Sequence, residues 1–284
     1  MKRNVIRRKV LELRSGADIE PDPRDGGVQS VDRALSIIET LAEDDEGYRL
    51  TDLAVRTGLS TSTVHRLLAT LEKRRFVHFD RHESKWHVGA QSFSVGATFA
   101  RRRNFTAQAM PYLRKLRDQT RETANLAVVD DEAIIVLTRI ESREIMRSLT
   151  KVGGRVAMVA SGVGKAVLAT YSDEDVNAII CRQGMPRLTE KSIVRPGELF
   201  RELQAVRRRG YAIDDEEARI GLRCIAAVVY NDCSEPLAAI SVSGMTSRIT
   251  DERLPVLGCI VRAVAAELTV VLGGVMPQAV EVVG

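Results

Sequence analysis

The chain has 284 residues, 44% of them hydrophobic, with 42 Lys/Arg against 38 Asp/Glu and a formal net charge of +4. That length exceeds one typical domain, the apolar fraction suffices for two cores, and the small excess of charge excludes a highly basic polyelectrolyte. Four cysteines (Cys181, Cys224, Cys233, Cys259) form no CxxC pair, which argues against a zinc knuckle or a redox dithiol and for reduced thiols in a cytoplasm.

The positive excess is confined to the first 104 residues. Residues 1–27 carry seven Lys/Arg and five acids, residues 28–104 twelve and ten, and residues 105–284 twenty-three of each. Residues 1–27, ending in PDPRDGG, read as a flexible tail rather than as a DNA-contacting arm. Val31, Ala34, Leu35, Ile38 and Leu41 then mark a first helix, with Ser30 as its cap.

Leu50–Arg75, LTDLAVRTGLSTSTVHRLLATLEKRR, reads as a short helix, a turn at Gly58, and a longer helix capped by Ser60. In the longer helix Val64, Leu67, Leu68 and Leu71 fall at i, i+3, i+4 and i+7, the apolar stripe of a packed helix. Thr61, Ser62, His65, Arg66 and Ala69 lie outside that stripe. Small hydrogen-bonding groups near a helix start suit a recognition helix, whose first residues approach base edges while its amides favour phosphate. His65 and Arg66 are the expected groove contacts, Ser60, Thr61, Ser62 and Thr63 divide between phosphate and base edges, and Arg33, Arg81 and Lys85 position the duplex.

Phe76–Asp80 and Lys85–Val88 alternate apolar and polar residues around Arg81-His82-Glu83-Ser84, the pattern of a β-hairpin. Val77, Phe79, Trp86 and Val88 are the expected core face of this wing. A metal site from His78, His82 and His87 with Asp80 or Glu83 is disfavoured, because these spacings are expected to place the histidines on different faces. Gln91–Arg103 reads as a linker helix ending in Arg101-Arg102-Arg103.

The second half alternates elements differently. Helices are expected at Met110–Thr123, Gly164–Tyr171, Asp173–Cys181, Glu198–Arg209 and Asp251–Leu272, and a hairpin at Asn125–Val129 and Ile134–Arg139. Further strands are expected at Tyr211–Ile213, Cys224–Tyr230 and Leu237–Ser243. Hairpins with helices grouped around them predict an α+β domain on an antiparallel sheet. The expected organisation is a tail at 1–27, a winged helix-turn-helix at 28–90, a linker helix at 91–108, the sheet domain at 109–274 and a tail at 275–284. No stretch is expected to span a membrane, and the basic Met1–Val10 is not followed by the apolar core of a signal peptide.

In ASGVGKAVLA, Ser161 can cap a helix whose first amides, from Gly162, Val163 and Gly164, are free to hold a carboxylate or simply form a tight helix start. GxGK lacks the GxxxxGK[ST] spacing of a P-loop. Ser241 and Ser243 share one strand face, Cys224 begins another strand and Asp214 follows a third. These four groups suit a small oxygen-rich ligand, and equally a cap, a core thiol and serines bonded to backbone. A carboxylate ligand facing Asp214 needs donors of its own or a proton, since two close anions repel.

The order VQSVDRALSIIETLA, STVHRLLATLEKRRFV, GKAVLA, RRRGYAIDDEE, GLRCIAAVVY and AAISVSG resembles the IclR family of bacterial regulators from Val28 to Gly274. KWHVGAQSFSVGATF and EPLAAISVSGMTSRITDER are most similar to its acetate, glyoxylate and allantoin branch. The resemblance implies a winged helix-turn-helix joined by a helix to a GAF-like effector domain, working as a homodimer or dimer of dimers on a pseudo-palindromic operator of double-stranded DNA. It implies that Gly162 and Val163 hold the effector's carboxylate, that Asp214, Cys224, Ser241 and Ser243 face it, and that Ile145, Ser148, Val156 and Leu222 line the site. Ser148 stands where relatives are often apolar, and Val156 is shorter than the usual Leu. The implied effector is a small 2-oxo acid, glyoxylate before pyruvate, with a semialdehyde as another choice, and no cofactor is implied.

The opposing class is an enzyme acting on a small carboxylic acid through Cys224 and Asp214. His65, His78, His82 and His87 all lie in the first half, which leaves no imidazole to activate Cys or Ser in the second. Lys165, the remaining base type, is expected to pack or pair along the surface of its helix. No catalytic residue is assigned.

Overall fold

The computed structural model describes residues 27–102, 105–130, 133–142 and 151–277. The chain divides into two compact units, Met1–Arg103 and Asn104–Gly284.

In the first unit α1 (Gln29–Ala42), α2 (Leu50–Thr57) and α3 (Thr61–Lys73) precede a hairpin of β1 (Val77–Asp80) and β2 (Lys85–Val88), followed by α4 (Ala90–Arg102). Ile37, Leu41, Leu53, Val64, Leu68, Val77 and Trp86 form its core. Gly58 ends α2 with φ +65°, the left-handed value that glycine adopts without penalty. Ser60 Oγ accepts from the Thr63 amide at 3.3 Å, the expected cap of α3. Ser30 is not a cap: α1 begins one residue before it, with Val28 at the cap position and no side-chain bond there. The expected α1 stripe is also shifted, because Val31 and Leu35 are exposed and Ile37 occupies the core. Val88, paired with Val77 at the open end of the hairpin, is exposed rather than core.

Helix α4 is tied to the first unit through the Gln91 amide to Arg75 O (3.0 Å) and Ser92 Oγ to Phe76 O (2.8 Å). It ends at Arg102, and the next helix, α5 (Phe105–Thr120), starts five residues earlier than Met110. Of the expected linker over 91–108, residues 91–102 lie in α4 and residues 105–108 in α5, with 103 and 104 outside the described residues. Phe105, Ala109, Leu113 and Leu116 are the buried stripe that fixes the second of them to its own unit.

The second unit contains β3 (Thr123–Asp130), β4 (Ala133–Ile140), β5 (Arg155–Val156), α6 (Gly162–Leu168), α7 (Asp173–Gln183) and α8 (Pro196–Arg209). It continues through β6 (Ala212–Asp215), β7 (Leu222–Tyr230), β8 (Pro236–Met245) and α9 (Arg253–Val271). Among the described residues the strands form one antiparallel sheet in the order β5-β4-β3-β8-β7-β6. Strand alternation gives that sheet two faces. Leu126, Ile225, Ala227, Ile240 and Val242 turn towards α5 and α9. Ala127, Ile134, Cys224, Ala226 and Ala239 turn towards α6, α7 and α8.

Helix α9 is long and apolar enough to cross a membrane by length and composition alone. Leu257, Val261, Val264, Ala265 and Leu268 are instead buried in the layer it shares with the sheet. The packing is close at one point, where a Cβ at Gly258 would collide with the Tyr211 ring.

Candidate functional site

On the first unit the polar side of α3 stands free. Thr61, Ser62, His65 and Arg66 are exposed and Thr63 is half-buried, while Val64 and Leu68 anchor the opposite side. The hydroxyls of Ser60, Ser62 and Thr63 form a cluster, with Ser60 Oγ 3.0 Å from Ser62 Oγ and 2.9 Å from Thr63 Oγ1. At the wing Asp80 Oδ1 accepts the amides of His82 (2.7 Å) and Glu83 (3.2 Å), which holds its carboxyl below the usual range and closes the turn. Arg81 is exposed at that turn, and Lys85 is partly engaged by Glu83 at 3.5 Å. Arg33 is half-buried on α1. His78 and His87 are direct cross-strand partners and share a face, correcting the expectation that they diverge. Among the described residues no three His, Cys, Asp or Glu side chains gather as metal ligands.

On the second unit the sheet brings the polar groups together at one end of the face covered by α6. Asp214 lies inside β6 rather than after it, opposite Cys224 on β7, which in turn is opposite Ser243 on β8. Ser241 pairs with Asn125 on β3, and Asn125 Nδ2 donates to both Ser241 Oγ and Ser243 Oγ at 3.3 Å. Above this row sits the start of α6. Ser161 Oγ accepts the Gly164 amide at 3.0 Å and donates to Ala157 O at 2.6 Å. The amides of Gly162 and Val163 have no hydrogen-bond partner among the described residues, as expected of a helix's first turn.

Two glycines permit this approach. A Cβ at Gly162 would stand 3.1 Å from Cys224 O, 3.3 Å from its Sγ and 3.5 Å from Asp214 N. A Cβ at Gly164 would collide with the Met158 backbone. Glycine at 164 is thus a packing requirement and glycine at 162 a close fit, which seats the start of α6 against Cys224 and the Asp214 backbone.

Burial dominates the electrostatics. Asp214 is 4% exposed, and its Oδ1 accepts the amides of Glu217 (2.8 Å) and Ala218 (3.3 Å). Desolvation, reinforced by the Glu217 charge, still pushes its carboxyl up to about 6. Cys224 is pushed up to about 11, again chiefly by burial and then by Asp214, so that it remains a neutral thiol near pH 7.

The chain carries these features in an order shared with known proteins. Residues 30–81 match the IclR helix-turn-helix domain, and residues 97–270 match the bacterial transcriptional regulator IclR C-terminal domain. The chain belongs to the IclR family. It is 42% identical over 254 residues to the acetate operon repressor of Salmonella typhimurium, covering 89% of this chain and 93% of that protein. It is 41% identical over 254 residues, with the same coverage, to the transcriptional repressor IclR of Escherichia coli K12. The solved IclR-type transcriptional regulator of Alicyclobacillus acidocaldarius matches at a TM-score of 0.73 and 26% identity, over 87% of this chain and 100% of that one.

In this IclR-family chain the remaining expected lining residues have different fates. Val156 on β5 pairs with Ile134 and packs against the same apolar layer as Val163. Leu222 is half-buried at the start of β7, opposite Met245. Ile145 and Ser148 lie outside the described residues. Lys165 corrects an expectation: it is 1% exposed and paired with Glu217, with Glu202 Oε1 at 3.9 Å, rather than lying along a helix surface. The sequence did carry a signal for it, since GVGKAVLA is apolar all round and leaves a lysine no solvent side. Asn125, Glu202 and Glu217 were also missed. Asn125 interrupts the apolar run of β3, a sign of a buried hydrogen-bonding role, whereas nothing local marks either glutamate.

Proposed function

We propose that the protein is a DNA-binding transcriptional regulator whose operator affinity is set by a small 2-oxo acid bound in its second unit, with glyoxylate favoured and pyruvate next. The observation that supports this reading is the start of α6 at Gly162, seated against Cys224 and the Asp214 backbone beside the row Asp214, Cys224 and Ser243, with Ser241 on the same strand face. A carboxylate on the two amides gains hydrogen bonds and the favourable end of a helix start. The adjoining carbonyl, or its hydrated diol, then faces the acid, the thiol and the serine hydroxyls. The relatives' descriptions as repressors favour repression.

The DNA-binding half of the reading rests on α3. A dimer or dimer of dimers presents Ser60, Thr61, Ser62, Thr63, His65 and Arg66 to successive major-groove half-sites, while Arg33, Arg81 and Lys85 meet phosphates. The ligand acts by preferring one arrangement of the effector units. A decisive change in occupancy needs a preference of roughly 2–5 kcal/mol, depending on where the equilibrium starts. A GAF-like effector domain with no catalytic role fits a site whose thiol stays neutral and whose own unit contains no histidine. The test is a gel shift on the upstream DNA of the gene that encodes the chain, titrated with glyoxylate, pyruvate and four-carbon semialdehydes. A shift unaffected by any of them counts against the effector assignment. Asp214→Ala is expected to abolish glyoxylate binding by isothermal titration, and retained affinity would refute the pose.

A further inference from the structure

Among the described residues, the buried charges around the polar cluster are paired except for Asp214. Lys165 on α6 pairs with Glu217, and Glu202 on α8, 3.9 Å from the same ammonium, is held by Arg209 at 2.6 Å. Asp215 turns to the other side of β6, where Arg223 at 2.6 Å and Lys191 at 3.5 Å hold it. From β7, β8 and β3 the cluster receives only neutral groups: Cys224, Ser241, Ser243 and Asn125. Asp214 is left with two backbone amides on Oδ1, and its Oδ2 has no hydrogen-bond partner among the described residues. An ionised Asp214 must therefore share Lys165 with Glu217, and the described groups of the buried site then carry a net negative charge.

A carboxylate held by the Gly162 and Val163 amides would bring a second anion into the same buried site, because Gly162 lies against Cys224 and the Asp214 backbone. Close buried anions do not both stay ionised. We propose that the site takes up one proton with each carboxylate ligand, that the proton resides on Asp214 Oδ2, and that ligand recognition therefore strengthens as pH falls. The inference rests on the effector reading given above. Protonation changes the role of Asp214 from repelling the ligand to donating a hydrogen bond to its second oxygen. It also makes the regulator respond jointly to ligand and proton. Free Asp214, already held up to about 6, is ionised above pH 7 and largely protonated at pH 5.5, which sets the range over which the linkage acts.

Isothermal titration of the full chain with glyoxylate and with pyruvate, in two buffers of different ionisation enthalpy, measures the protons taken up. At pH 7.5 close to one proton per ligand is expected, falling well below one at pH 5.5. Between pH 7 and 8.5 the Kd is expected to weaken about tenfold per pH unit. In Asp214→Asn the uptake is expected to disappear. Glu217→Gln, which removes a neighbouring anion and frees Lys165 to compensate Asp214, lowers the tendency of Asp214 to hold the proton, and is expected to reduce both the uptake and the steepness of the Kd slope at alkaline pH. Binding with no proton uptake and an unchanged Kd from pH 6 to 8.5 overturns this inference alone, as does undiminished uptake in Asp214→Asn. Absence of binding by either acid at every pH overturns it together with the effector reading.

Discussion

Removing the ammonium of Lys165 is the sharpest test of how the effector unit is held together. The side chains of Lys165 and Glu217 are 1% and 8% exposed, and the pair joins α6 to the turn after β6. At a contact distance of about 3 Å and an effective dielectric of ~20, their attraction is about 5 kcal/mol, most of it offset by the desolvation of both groups. Lys165→Met keeps the volume but leaves Glu217 buried without its cation, and Glu217 Oε2 already has no hydrogen-bond partner among the described residues. The expected loss is about 3–5 kcal/mol at pH 8.

The sign of its pH dependence is fixed. Burial already raises the Glu217 carboxyl, and Lys165 opposes that rise, so the variant raises it further. An acid whose folded value lies above its unfolded one loses stability as pH rises between the two, so the deficit should be smaller at pH 5 than at pH 8. Denaturation followed by far-UV circular dichroism reads the helices of both units, and the transition not shared with tryptophan fluorescence reports the effector unit. Fluorescence of Trp86, the chain's single tryptophan, reads the other unit and should not change. A loss below about 1 kcal/mol at pH 8 would refute the reasoning, as would failure of Lys165→Met/Glu217→Leu to recover stability relative to Lys165→Met.

Asp214 makes its own contribution to pH dependence. Its folded value of about 6 against an ordinary 3.8 gives stability that is fully present below about pH 4 and gone above about 6. The stability of the native chain minus that of Asp214→Asn should therefore fall by about 2 kcal/mol from pH 4.5 to 7.5, measured by denaturant titration. Arg66→Ala should weaken operator binding by roughly ten- to a hundredfold in a gel shift while leaving the melting of the effector unit unchanged. Gly164→Ala, whose methyl would meet the Met158 backbone, should lower the melting temperature of the effector unit, and native-like melting would contradict the close packing of α6.

The first unit was largely legible because its signals are local. Gly58 and Ser60 punctuate the chain through backbone geometry and capping, and Val64 and Leu68 declare the buried side of α3 through helical period. Misreadings occurred where local patterns compete with context. Val31, Leu35 and Val88 are apolar and correctly spaced, yet no other part of the described unit covers them. Ser30 is a good cap residue placed one position inside a helix.

The sequence by itself determined which residues could carry chemistry: the free amides after Ser161, the two serines on one strand face, and the absence of histidine from the second half. Tertiary structure alone decided what those residues face. Strand pairing brought Asp214, Cys224 and Ser243 into one row across residues far apart in the chain. Packing of α6 on that row buried Lys165 and selected Glu217 as its partner. A side chain's period is written within a few neighbouring residues, but its partner and its dielectric surroundings come from long-range contacts that only the folded sheet creates.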